Sequence, residues 1–146
     1  MTHVAELIEG KPLIHVDPDD SVRAAARMMS DRNVGAVAVL DSGRLVGVFS
    51  ERDIMTRVVA PGLNPESTTI AKVMTRDLVV GNPKDDIDVA LQKMHAVGCR
   101  HLPVVDEGNL IGMISIRDLL QVDDDTNRAR ATFLKELVVY SPDYES

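Results

Sequence analysis

Apolar residues recur at helical spacing twice along the chain, at Val22, Ala25, Ala26 and Met29 and again at Ile87, Ala90, Leu91 and Met94. Ahead of each stretch stands an Asx-Pro pair, Asp17-Pro18 or Asn82-Pro83, a turn signal that precedes helix entry. A short apolar segment, Leu13 to Val16 or Leu78 to Val80, runs into each turn. Beyond each helix lie two β-rich runs, Ala36 to Leu40 with Arg44 to Phe49, and His101 to Val105 with Asn109 to Ile114. Asp41-Ser42-Gly43 and Asp106-Glu107-Gly108 join these runs and predict tight hairpins in which the Gly takes positive φ. A further helix is predicted to begin at each Ser-x-Arg-Asp, Ser50 to Asp53 and Ser115 to Asp118.

The pattern recurs because the sequence does. DSGRLVGVFSERD at 41–53 and DEGNLIGMISIRD at 106–118 are 65 residues apart, and the offset holds without a gap back to Pro18 and Pro83. Twelve of those 36 aligned positions are identical, Gly47, Ser50, Arg52 and Asp53 among them. Upstream, VAELIEGKPLIHV and IAKVMTRDLVVG match once one residue is gapped. The predicted unit is β-α-β-β-α, twice, with a linking loop around Pro61-Gly62-Leu63-Asn64-Pro65. A half of this size leaves one sheet face bare. The expected fold is therefore α/β (α+β), two pseudo-twofold-related motifs packed sheet to sheet. The divisions expected are 1–65, 66–122 and a helical tail at 123–146. In that tail Asp123 to Thr126 would cap a helix with Phe133, Leu134, Leu137 and Val138 on one face, ahead of a polar end from Ser141 to Ser146.

Composition narrows the chemistry. The 146 residues are 45% hydrophobic and 27% charged, with two Tyr, two Phe and no Trp, so the core must be aliphatic. A net charge of −7 and so few rings argue against broad nucleic-acid binding. The single Cys excludes an intramolecular disulfide and suits a reducing compartment. The apolar runs are too short to span a bilayer, and MTHVAELIEGK has no signal-peptide core, so a cytoplasmic protein is expected. His3, His15, His95 and His101 show no metal-ligand spacing, and no metal is expected. Neither a Gly-x-Gly-x-x-Gly nor a Gly-Lys-Ser/Thr loop is present.

Two copies of Pro-x-Asp, hairpin and Gly-hydrophobic-hydrophobic-Ser-x-Arg-Asp, 65 residues apart, resemble a tandem pair of cystathionine-β-synthase-type (CBS) domains over roughly residues 4–122. The resemblance implies a stand-alone sensor module, not an enzyme, that binds AMP, ADP, ATP, NAD(H) or S-adenosylmethionine in clefts between paired motifs. It further implies a homodimer and a regulated partner protein of unknown identity. The motif's chemistry agrees. Ser50 and Ser115 stand where strand becomes helix, a position suited to phosphate. Asp53 and Asp118 can accept from both vicinal hydroxyls of a ribose, and Arg52 and Arg117 can meet phosphate at the rim. Carried over from the family, Asp118 would work with Leu13, Ile14 and Val34-Gly35-Ala36, and Asp53 with Leu78, Val79 and Arg100-His101-Leu102. Arg100 and His101 stand where some members place basic phosphate-binding residues, whereas the first copy has Gly35 and Ala36, so the two sites are expected to be unequal.

Each motif also has a purely structural reading, because Ser-x-x-Asp is close to a helix capping box. The same residues could serve as a cap and a ligand site. Two other functions stay open beside the sensor. One is a dimerising interaction scaffold with vestigial nucleotide sites. The other is an enzyme built on Cys99, which the sequence gives no orienting third group.

Overall fold

The two long helices form where the 3.6-residue period places them, closed at the start by a side chain and at the end by the backbone N–H of a left-handed residue. The computed structural model describes residues 2–122, and the helical tail expected at 123–146 lies outside them. In chain order the elements are α1 (Val4–Ile8), β1 (His15–Val16), α2 (Val22–Arg32), β2 (Ala36–Asp41), β3 (Arg44–Ser50) and α3 (Glu51–Asp53). Then follow α4 (Ile70–Val73), α5 (Ile87–Val97), β4 (His101–Asp106), β5 (Asn109–Ser115) and α6 (Ile116–Leu120). Ser21 Oγ accepts from the Ala24 N–H to cap α2, and the Asp86 carboxylate accepts from the Val89 N–H to cap α5. Asn33 and Gly98, both left-handed, end them.

The paired β runs are antiparallel hairpins, β2 with β3 and β4 with β5, closed by two-residue loops. Ser42 and Gly43, like Glu107 and Gly108, both have positive φ, which matches the right-handed twist of the strands. In each hairpin one extra residue, Val46 or Ile111, breaks the register at the same point. The segments leading into the Pro turns are less regular than the sequence predicts. Of Leu13 to Val16 only β1 pairs, parallel to β2, and Leu78 to Val80 forms no strand, the one bridge coming just after it at Gly81 with Val104. Their apolar residues pack by side chain: Ile14 lies against one core and Val79 against another.

Contacts group the chain into two units that do not follow the linear repeat. One is 14–78; the described part of the other is 2–13 together with 79–122. The first closes around Val22, Met29, Val39, Phe49, Ile70 and Val73, the second around Val4, Ile87, Leu91, Met94, Leu102 and Ile114. Each unit thus takes in a short helix from ahead of the other repeat. The Ile70 and Ala71 N–H groups donate to the carbonyls of Asp20 and Pro18, and those of Val4 and Ala5 donate to Asp85 and Pro83. These carbonyls are offset by 65 residues, so both short helices are seated by the same turn. Glycine makes room for them. A Cβ at Gly47 would lie 2.6 Å from Met74 Sδ, and one at Gly112 2.8 Å from Ile8 Cγ2.

Candidate functional site

Both Ser-x-Arg-Asp segments turn a strand into a helix by the same set of bonds. The residue after each Ser donates its N–H to the residue just ahead of the neighbouring strand, Glu51 to the Gly35 carbonyl at 2.9 Å and Ile116 to the Arg100 carbonyl at 3.0 Å. Ser50 faces Ala36, and Ser115 faces His101, across the hairpins. Each Ser then forms a reciprocal capping box. Ser50 Oγ accepts from the Asp53 N–H at 3.2 Å while Asp53 Oδ2 accepts from the Ser50 N–H at 3.0 Å. Ser115 Oγ accepts from the Asp118 N–H at 3.1 Å while Asp118 Oδ2 accepts from the Ser115 N–H at 2.7 Å. The structural reading of the motif is therefore realised in both copies.

The corners differ in what remains of each carboxylate. Asp53 is closed in, its side chain only 7% exposed. Its Oδ2 also accepts from Ser50 Oγ at 3.1 Å, and its Oδ1 accepts from Thr75 Oγ1 at 3.0 Å with Arg57 Nε at 3.7 Å. Arg57 is aimed there by a π-helical stretch, Ile54–Val59, that continues α3, and it also donates to the Met74 carbonyl at 2.9 Å. Asp118 is more open, 23% exposed, and its Oδ1 meets one ammonium, Lys11 Nζ at 3.0 Å, on a side chain that is 50% exposed.

Electrostatics follows from these contacts. Burial would raise the Asp118 carboxyl, but the Ser115 N–H and the Lys11 ammonium outweigh it and hold the group below its ordinary range. Asp118 is thus ionised at neutral pH. His101 behaves oppositely: burial, reinforced by the nearby Arg100 charge, pushes its imidazole down to about 4 against the pull of Asp118. It is therefore uncharged near neutrality. Burial also pushes the Cys99 thiol up, so it is a poor nucleophile at neutral pH. Among the described residues no group of three or more His, Cys, Asp or Glu could hold a metal ion.

The remaining residues implied by the resemblance are divided between the units. Leu13, Val79, Arg100 and His101 share a unit with Ser115, Arg117 and Asp118, whereas Ile14, Val34, Ala36 and Leu78 share one with Ser50, Arg52 and Asp53. Arg52 and Arg117 are exposed, Ala36 is buried, and Ile14, Val34, Leu78 and Val79 are half-buried. Lys11, Thr75 and Arg57 escaped the sequence reading, though one signal was present. Lys11 and Arg76 are cations at matched positions of the two repeats. Arg76 caps its own short helix instead, donating to the Ala71 carbonyl at 2.9 Å.

Comparison with known proteins agrees with the repeat. Residues 4–60 and 70–125 each match the family model described as the CBS domain. The CBS domain-containing protein YhcV of Bacillus subtilis is 38% identical over 104 residues, 71% of this chain and 74% of that protein. Two Arabidopsis thaliana relatives are longer, and the chain spans 20% and 52% of their lengths. The solved CBS-domain containing protein ATU1752 from Agrobacterium tumefaciens superposes with a TM-score of 0.76 at 32% identity, covering 82% of this chain and 98% of that one. The CBS domain pair of protein MJ0100, solved with 5′-methylthioadenosine and S-adenosyl-L-methionine, gives 0.75 at 26% identity, covering 84% and 95%.

Proposed function

The chain belongs to the CBS-domain family, and we propose that it is a regulatory module that binds an adenosine ligand of the AMP, ATP or NAD(H) class and reports it to a partner protein. The observation that carries this reading is the Asp118 corner. There an ionised, partly exposed carboxylate sits beside Lys11 and the exposed Arg117, an arrangement that offers an acceptor to a ribose diol and cations to phosphate. The adenosine ligands of the MJ0100 domain pair support the ligand class. The Asp53 corner, closed to solvent with Thr75 Oγ1 on the oxygen that in Asp118 meets an exposed ammonium, acts chiefly as a structural cap, so one ligand per chain is expected.

The module works without chemistry of its own. The ligand stabilises one conformation of the chain, and the partner binds the conformations unequally. A homodimer is part of the proposal, supported by the exposed apolar side chains of Met55, Val59 and Leu63 in one unit. A reducing compartment such as the cytoplasm fits the free thiol of Cys99. The alternative, a dimerising scaffold whose corners are only caps, is favoured by the engaged oxygens of Asp53. Thermal unfolding of the whole chain separates the two. An adenosine ligand at a hundredfold excess over its dissociation constant should add about 2.7 kcal/mol and raise Tm by several degrees. Unchanged Tm with AMP, ATP, NADH and S-adenosylmethionine alike leaves only the scaffold.

A further inference from the structure

We infer that Lys11 makes the Asp118 corner select adenosine ligands that carry phosphate over those that do not. The inference rests on the nucleotide reading above and names the residue that gives the corner its preference for the phosphorylated ligands of that class.

Two of the corner's backbone donors are already committed. The Ile116 N–H is held by the Arg100 carbonyl and the Asp118 N–H by Ser115 Oγ, and α6 is only five residues long. Phosphate recognition therefore leans on side chains, the exposed Arg117 at the rim among them. His101, kept neutral by burial, does not contribute a charge. Lys11 does: its ammonium lies 3.0 Å from Asp118 Oδ1, and its half-exposed stem leaves it free to swing. It reaches the carboxylate from the bend after α1, where Gly10 has a φ of 76° and the Lys11 N–H donates to the Ile8 carbonyl at 3.2 Å.

An ion pair this exposed is worth about 1 kcal/mol or less, so a ribose diol can take its place on Oδ1 at small cost. The displaced ammonium then stands beside the bound sugar with no counter-charge. A nucleoside 5′-phosphate provides one within reach of a four-carbon side chain. Unphosphorylated adenosine provides none, and S-adenosylmethionine sets a sulfonium and an ammonium against its one carboxylate, so it brings no net negative charge to Lys11. Lys11 therefore competes with every ligand for Asp118 but compensates only the phosphorylated ones.

The test is calorimetry of AMP and adenosine binding to the full chain carrying the native Lys11, Lys11→Ala or Lys11→Arg, with Tm recorded to confirm folding. The native chain should bind AMP at least about tenfold more tightly than adenosine. Lys11→Ala should narrow that ratio by about tenfold, with AMP weakened and adenosine unchanged or tightened, and Lys11→Arg should keep it. Equal affinity of the native chain for both ligands would overturn the inference, as would a Lys11→Ala chain that keeps the native ratio. A native chain that binds neither ligand overturns the nucleotide reading itself, and the inference with it.

Discussion

At the scale of single residues, the same four-residue motif is used with two different degrees of closure. Asp53 satisfies Ser50 through both backbone and hydroxyl and takes Thr75 on its second oxygen, whereas Asp118, also held by Ser115 through backbone and side chain, has a solvent-exposed ammonium on its second oxygen. Asp53→Ala leaves several buried donors unmet and should cost about 2–3 kcal/mol in urea unfolding; Asp118→Ala should cost about 1 kcal/mol. The reverse order would mean that Asp118 is the structural cap. His101 sets a pH dependence whose sign is fixed by burial. Its folded value of about 4 lies below the ordinary 6.5, so between those limits the unfolded chain takes up a proton that the folded chain refuses. Stability should therefore fall as pH drops from 6.5 to 4 and be untouched by this group above 6.5. The lowered Asp85 and Asp118 carboxyls add their own loss only below about 3.8. Urea midpoints measured across pH 4 to 7 should give a flatter curve for His101→Gln, and parallel curves would contradict the assignment.

At the scale of elements, what the sequence made legible was whatever local pattern specifies. The 3.6-residue period and the Asx-Pro turns located α2 and α5, and the Asp-x-Gly turns located both hairpins to within a residue at the strand ends. The Ser-x-Arg-Asp corners were legible as sites and as caps at once, because one geometry satisfies both. What local pattern does not carry is the seating of α1 and α4. Four- and five-residue helices have too few turns for a period to show, and the carbonyls that hold them belong to turns remote in sequence. Lys11 and Thr75 were missed for that reason, since each reaches its carboxylate only because the short helix ahead of it is seated there. A second signal, beside the matched cations Lys11 and Arg76, was Gly47 and Gly112, strand glycines at matched positions whose missing Cβ marks a close approach. Gly112→Ala would drive a methyl into the β-branched Ile8, which has little rotamer freedom to yield, and should cost about 1–3 kcal/mol in thermal or urea unfolding. Full native stability would show that α1 shifts freely, and would weaken the case that Lys11 is held in place.

At the scale of the whole molecule, duplication supplies two similar corners, and small differences around them assign their roles. One is closed by Thr75 and Arg57 and stabilises its unit; the other keeps a carboxylate partly open beside Lys11 and Arg117. An acidic chain with a net charge of −7 can still accept one phosphate, provided its cations gather at one place. The most direct measurement of the central claim is calorimetric titration of AMP into the whole chain, native and with Asp118→Asn, whose amide oxygen can still accept from the Ser115 N–H. Saturable binding near one AMP per chain, weakened at least about tenfold by Asp118→Asn, is the expected result. Binding left unchanged by that substitution, or no heat with AMP, ATP or NADH, would contradict it.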